Sequence, residues 1–98
     1  MGYVHEVGRP SLYKKAKEKW GVSAQLGMMQ EECAELIAAI NKGHRREFDD
    51  ASLDLITSEI ADVEIMMEQA RVIFNPSMIE EHKRRKLERL QERLDKEL

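Results

Sequence analysis

The sequence predicts an all-α domain, a bundle of four helices, and three observations carry that expectation. Aliphatic residues and Met supply most of the 42% hydrophobic content, while aromatics make up 5%. Only 5 Gly and 2 Pro interrupt the 98 residues. Between those breakers apolar residues recur at i, i+3 and i+4, the period of a helix buried along one side. A chain of this length holds one modest core, so residues 1–98 read as a single domain.

Residues 1–10, with Gly2, Gly8 and Pro10, show no period and read as a flexible N-terminal arm. Ser11 is placed to cap a short first helix in which Leu12, Ala16 and Trp20 share a side, and Gly21 suits its end. A second helix is expected from Ser23 to about Lys42, with Gly43 as its stop. Its apolar stripe is Leu26, Met29, Cys33, Leu36, Ile37 and Ile40. The polar stretch from His44 to Asp50 is a connection, and Asp49 or Asp50 caps the next helix. This third helix is expected over Ala51 to Phe74, with Ile56, Ile60, Val63, Met67, Ala70 and Phe74 as its stripe. Asn75-Pro76-Ser77 breaks the chain. Pro at a first helical position and a Ser77/Glu80 capping box then start a fourth helix, with Leu87, Leu90, Leu94 and Leu98 as a narrow seam.

Charged residues reach 36% but nearly cancel, to a net charge of -3. That balance argues against a protein held to nucleic acid by overall positive charge. No apolar run is long enough to span a membrane. A single cysteine, Cys33, forms no intrachain disulfide, and no signal segment is evident, so a cytoplasmic location is expected.

The informative feature is a pair of acidic clusters. The second helix carries Glu31-Glu32-Cys33-Ala34-Glu35, and the third carries Glu59-Ile60-Ala61-Asp62. At about 100° per residue, Glu32 and Glu35 lie roughly 80° and 140° to one side of their helix's apolar centre, and Glu59 and Asp62 roughly 60° and 120° to the same side of theirs. The short connection makes the two helices antiparallel neighbours, which brings both pairs to one side of the hairpin. Glu35 precedes Gly43 by about as many residues as Glu59 follows Ala51, so depth matches too. Four convergent carboxylates repel one another unless a cation compensates them, and an all-oxygen set selects a hard ion, Mg²⁺ or Mn²⁺. Apolar neighbours on the same faces, Met28 and Ala39 on one helix and Leu55, Met66 and Ile73 on the other, distinguish these acids from ordinary solvated ones.

With its EExxE and ExxD elements in that order, the sequence resembles the MazG-like superfamily of all-α nucleoside triphosphate pyrophosphohydrolases. The resemblance covers about Gln25 to Leu94 and extends to Gln30, Glu35-Leu36 and Ala61-Asp62-Val63. It implies a magnesium site formed by Glu32, Glu35, Glu59 and Asp62, with Glu31 assisting or orienting water. It further implies cleavage of a (d)NTP to (d)NMP and pyrophosphate, phosphate contacts from Lys86 and Arg89 on the last helix, and a homodimer or dimer of dimers. The superfamily's Asn-x-Lys pattern is replaced here by Arg84-Arg85-Lys86.

Trp20 is a candidate for stacking on the substrate base, against the commoner role of core aromatic. Cys33, within the apolar stripe, reads as a buried thiol, and His5, His44 and His82 lack metal-ligand spacing. Two rival functions are weighed against the main one: a phosphoribosyl-ATP pyrophosphohydrolase, and a non-catalytic helical interaction module whose leucine seam binds a partner.

Overall fold

A computed structural model describes residues 9–97, and the chain folds into four helices: α1 (Arg9–Trp20), α2 (Val22–Arg45), α3 (Asp50–Ile73) and α4 (Pro76–Glu97). No strand occurs among the described residues, and no helix is long and apolar enough to cross a membrane. Most of the expected N-terminal arm lies outside the described residues, but Arg9 and Pro10 already belong to α1, so Ser11 is inside that helix and not its cap.

Each boundary has a local cause. A single residue, Gly21, separates α1 from α2 at φ 84, a left-handed conformation that a side chain would oppose. Its N–H closes α1 on the Lys17 carbonyl at 2.8 Å, and its carbonyl accepts the Gln25 N–H at 3.1 Å. At the other end of α2, Gly43 is not the stop. It lies inside the helix, buried, because a Cβ there would come within 2.8 Å of the Phe48 ring and 3.0 Å of Ile56 Cδ1. Phe48 folds back over this gap, its N–H bonded to the Gly43 carbonyl at 2.8 Å. Glu47 and Phe48 both take φ 53 to make that turn.

Asp49 settles the choice of cap for α3, since its carboxylate accepts the Ser52 N–H at 2.9 Å. Asn75 caps α4 by accepting from the N–H groups of Ser77 and Met78. The expected Ser77/Glu80 capping box is replaced, and Glu80 instead meets Arg71 of α3 at 2.6 Å.

Packing is centred on α2 and α3. Gly43 lies against Ile56 beside the connection, and Glu32 lies against Glu59 and Asp62 farther from it. Contacts in that order are those of two helices running back along each other. The seam between them runs through Gln25, Met29, Glu32, Leu36, Ala39 and Gly43 on α2, and through Ser52, Ile56, Glu59, Val63, Met66 and Ala70 on α3, all buried or half-buried. Steps of four and three residues are those of two helices in close contact.

This seam is rotated from the expected stripes toward the carboxylates. Ile37, Ile40, Ile60, Met67 and Phe74, all expected inside, are exposed. Gln25, Ser52, Glu32 and Glu59 take inner positions, which no count of apolar residues assigns to a core.

Helix α1 lies across α3. Tyr13 donates its hydroxyl to Glu68, which also pairs with Arg9 at 3.2 Å. Lys17 reaches the Val72 carbonyl and Gln69 the Tyr13 carbonyl, each at 3.4 Å. Helix α4 contacts α3 and neither α1 nor α2.

Candidate metal centre

The carboxylates meet at the middle of the α2/α3 seam. Glu32, Glu59 and Asp62 each bring one oxygen within 4.8 Å of the others. Glu32 and Glu59 hold inner seam positions, and Asp62, three residues beyond Glu59, stands on its flank. Glu35 stands one turn from Glu32 and faces Glu59, but is exposed and outside the three-way group. Glu31 is exposed and does not join it.

Electrostatics at this point are unfavourable for the chain alone. Burial, followed by the charges of Glu35, Asp62 and Glu59, raises the Glu32 carboxyl above its ordinary value. Burial, followed by Glu35 and Asp62, does the same to Glu59. Among the described residues no cationic side chain figures among the influences on either group. The oxygens Glu32 Oε2 and Glu59 Oε2 are sealed from solvent and accept no hydrogen bond from the described residues. Their polar neighbours are other carboxylates, which have no proton to give when ionised. A buried carboxylate oxygen without a donor is costly, and more so beside like charges.

These observations fit a hard divalent cation. Every donor is a carboxylate oxygen, the set Mg²⁺ prefers, and opposite ligands of Mg²⁺ stand about 4.2 Å apart, so modest side-chain rotation closes the 4.8 Å group. Glu32, Glu59 and Asp62 are the residues placed to hold it, with Glu35 adjacent.

An open hollow of about 360 Å³ lies between α1 and α3, lined by Leu12, Ala16, Lys19, Trp20, Ile65 and Gln69 among others. Ile65 and Gln69 are three and seven residues beyond Asp62, one and two turns along the same side of α3. Trp20 is therefore not a core residue. Its ring is half-exposed at the hollow, with the Lys19 ammonium 5.5 Å from its centre. Ile65 and Gln69 were missed as candidates from sequence, although their spacing from Asp62 was the available signal.

Lys86 and Arg89 stand exposed on α4, which reaches neither α1 nor α2, so a single chain does not bring them to the carboxylates through those helices.

Comparison with known proteins returns no match: no family model, no curated protein and no solved structure.

Proposed function

We propose that the chain is a Mg²⁺-dependent nucleoside triphosphate pyrophosphohydrolase that hydrolyses a (d)NTP of the cytoplasmic pool to (d)NMP and pyrophosphate. The observation that carries this reading is the meeting of Glu32, Glu59 and Asp62 across two helices, two of them with sealed oxygens that lack any donor. The resemblance of the EExxE and ExxD elements to the MazG-like superfamily supplies the reaction.

Held by these carboxylates, Mg²⁺ supplies charge neutralisation of the triphosphate and a more acidic water. The chain's own residues do the rest. Glu32, Glu59 and Asp62 fix the cation with Glu35 beside them, and the resemblance assigns the exposed Glu31 to orienting the attacking water. Water adds its oxygen to the α-phosphorus, its proton passes to the exposed Glu35, and the bond to the β-phosphate breaks with pyrophosphate as leaving group. Trp20, at an apolar hollow lined by Ile65, offers a stacking face to the base. Lys86 and Arg89 are assigned to the phosphates, which requires α4 of this chain or of a second copy to approach the cluster.

The test is a panel of ribo- and deoxyribonucleoside triphosphates with Mg²⁺, scored for pyrophosphate, beside Glu35→Gln and Asp62→Asn. Pyrophosphate release that falls about 100-fold or more in both variants with helicity retained is the expected result. Turnover unaffected by either change removes the assignment.

A further inference from the structure

We infer that Lys42, near the turn end of α2, holds the β- and γ-phosphates, so that the substrate lies along the hairpin with its base at the α1/α3 hollow and its triphosphate directed toward the turn. This rests on the pyrophosphohydrolase reading given above and adds to it a residue and a direction.

Charge creates the need. Glu32, Glu35, Glu59 and Asp62 around one Mg²⁺ leave two negative charges, and a triphosphate brings several more. A polyanion is held at such a site only where cations face it. By helical phase Glu35 and Asp62 lie about 60° to one side of Glu32 and Glu59, and Lys42 lies about 80° to that same side, within about 20° of Glu35. The other cations of the hairpin helices, His44 and Arg45 on α2 and Arg71 on α3, lie about 120–140° from Glu32 or Glu59, and Arg71 is paired with Glu80. Lys42 is thus the cation that α2 and α3 place beside the carboxylates.

Position and reach agree. Lys42 follows Glu35 by two turns, about 10 Å along the axis. Side chains of a helix lean toward its N-terminus, so the four-carbon stem of Lys42 leans back toward Glu35. On this side of α2 only Ala38 and Ala39 stand between the two, and neither is large enough to block the ammonium. Lys42 is exposed, and its charge is felt at Asp49, whose carboxylate is already engaged by the Ser52 N–H and hydroxyl. Unlike Lys86 and Arg89, it needs no approach of α4 and no second copy to reach the phosphates.

The other end of the cluster gives the direction. The hollow lined by Leu12, Ala16, Trp20 and Ile65 lies beyond Asp62, away from the turn, and suits a base better than a phosphate. Lys15 and Lys19 also line it, but the Lys19 ammonium stands over the Trp20 ring. Hollow, carboxylates and Lys42 follow one another along the hairpin, the order of base, α-phosphorus and terminal phosphates in a nucleoside triphosphate. When the bond from the α-phosphorus to the bridging oxygen breaks, the electron pair stays on that oxygen of the departing pyrophosphate, and the ammonium stands where this charge collects.

The test compares inhibition by pyrophosphate and by the nucleoside monophosphate, at saturating Mg²⁺, in the wild type, Lys42→Gln, Lys42→Arg and the double variant Lys15→Gln/Lys19→Gln. In Lys42→Gln, kcat/KM and pyrophosphate inhibition are expected to weaken about 10- to 100-fold, while monophosphate inhibition and Mg²⁺ affinity stay within about twofold of wild type. Lys42→Arg should restore most of the loss. Pyrophosphate inhibition unchanged in Lys42→Gln overturns the inference. So does an equal loss of both inhibitors, the mark of a structural effect, and so does a loss confined to the Lys15/Lys19 variant, which reverses the substrate. A wild type that releases no pyrophosphate from any triphosphate removes the reading beneath the inference and the inference with it, so the two failures are told apart.

Discussion

Glu32 and Glu59 occupy positions where a helix hairpin ordinarily places Leu, and the chain bears the repulsion this creates. Neutralising one of them relieves it. Glu59→Gln is expected to raise the melting temperature in chelator and to abolish most of the rise that Mg²⁺ gives the wild type; a variant less stable than wild type in chelator contradicts the repulsion. Titration gives a second check. Both carboxyls hold their protons more tightly in the folded chain than at the ordinary 4.5. Folding therefore takes up protons, and the stability of the metal-free chain should fall as pH rises above 4.5 until both groups have ionised. Asp49, Glu80 and Glu81, each held low by hydrogen bonds from Ser52, Arg71 and Arg84 respectively, act in the opposite sense, but below about pH 4.5. Thermal melts between about pH 4.5 and 8 should thus decline in chelator and flatten with Mg²⁺. A rise through that window without metal speaks against a strained cluster. The convergence of Glu32, Glu59 and Asp62 was legible in the sequence because spacing and depth fix it. The place of Glu35 at the rim was not, since it depends on helix rotation.

At the scale of elements, the sequence located all four helices and most of their joints, because Gly21, Asp49 and Asn75-Pro76 act through local backbone chemistry. It misjudged which side of α2 and α3 faces inward. Each helix carries two apolar stripes about 60–100° apart, and periodicity reports their mean direction. Gln25, Ser52, Glu32 and Glu59 inside the seam pull the true inner face away from that mean. Two glycines of α2 test the resulting register. Gly27 has nothing within 4 Å of an added Cβ, so Gly27→Ala should gain stability from helix propensity, by about 0.5–1 kcal/mol. Gly43→Ala gains the same propensity but drives a methyl into the Phe48 ring and Ile56. Phe48 is held at φ 53 by its bond to the Gly43 carbonyl, so its ring must leave the gap, and a net loss of about 1–2 kcal/mol is expected. Denaturant midpoints of the two variants should move in opposite directions. Asp49→Ala removes the α3 cap and should cost about 1 kcal/mol by the same measurement.

For the whole molecule the governing fact is how little one chain encloses. The Cα radius of gyration is 16.8 Å, against about 12.6 Å for a compact domain of this length. Among the described residues α4 contacts only α3 and the outer side of the hairpin is left uncovered, and both enlarge the radius. Exposed apolar residues on α2 and α3 and a leucine seam of this extent stabilise the fold only when they are removed from water, and among the described residues they are not. In the homodimer expected from the sequence, folding and association are one process, and the melting temperature should depend on concentration. A tenfold dilution of a dimer that unfolds to two chains removes about 1.4 kcal/mol per dimer. With an unfolding entropy of about 2.1 cal/mol/K per residue over both chains, that corresponds to about 3 °C. Calorimetry from about 1 to 100 µM should therefore show the melting temperature climbing by about 6 °C with Mg²⁺ held constant. A melting temperature independent of concentration across that range means that these exposed residues contribute nothing to stability.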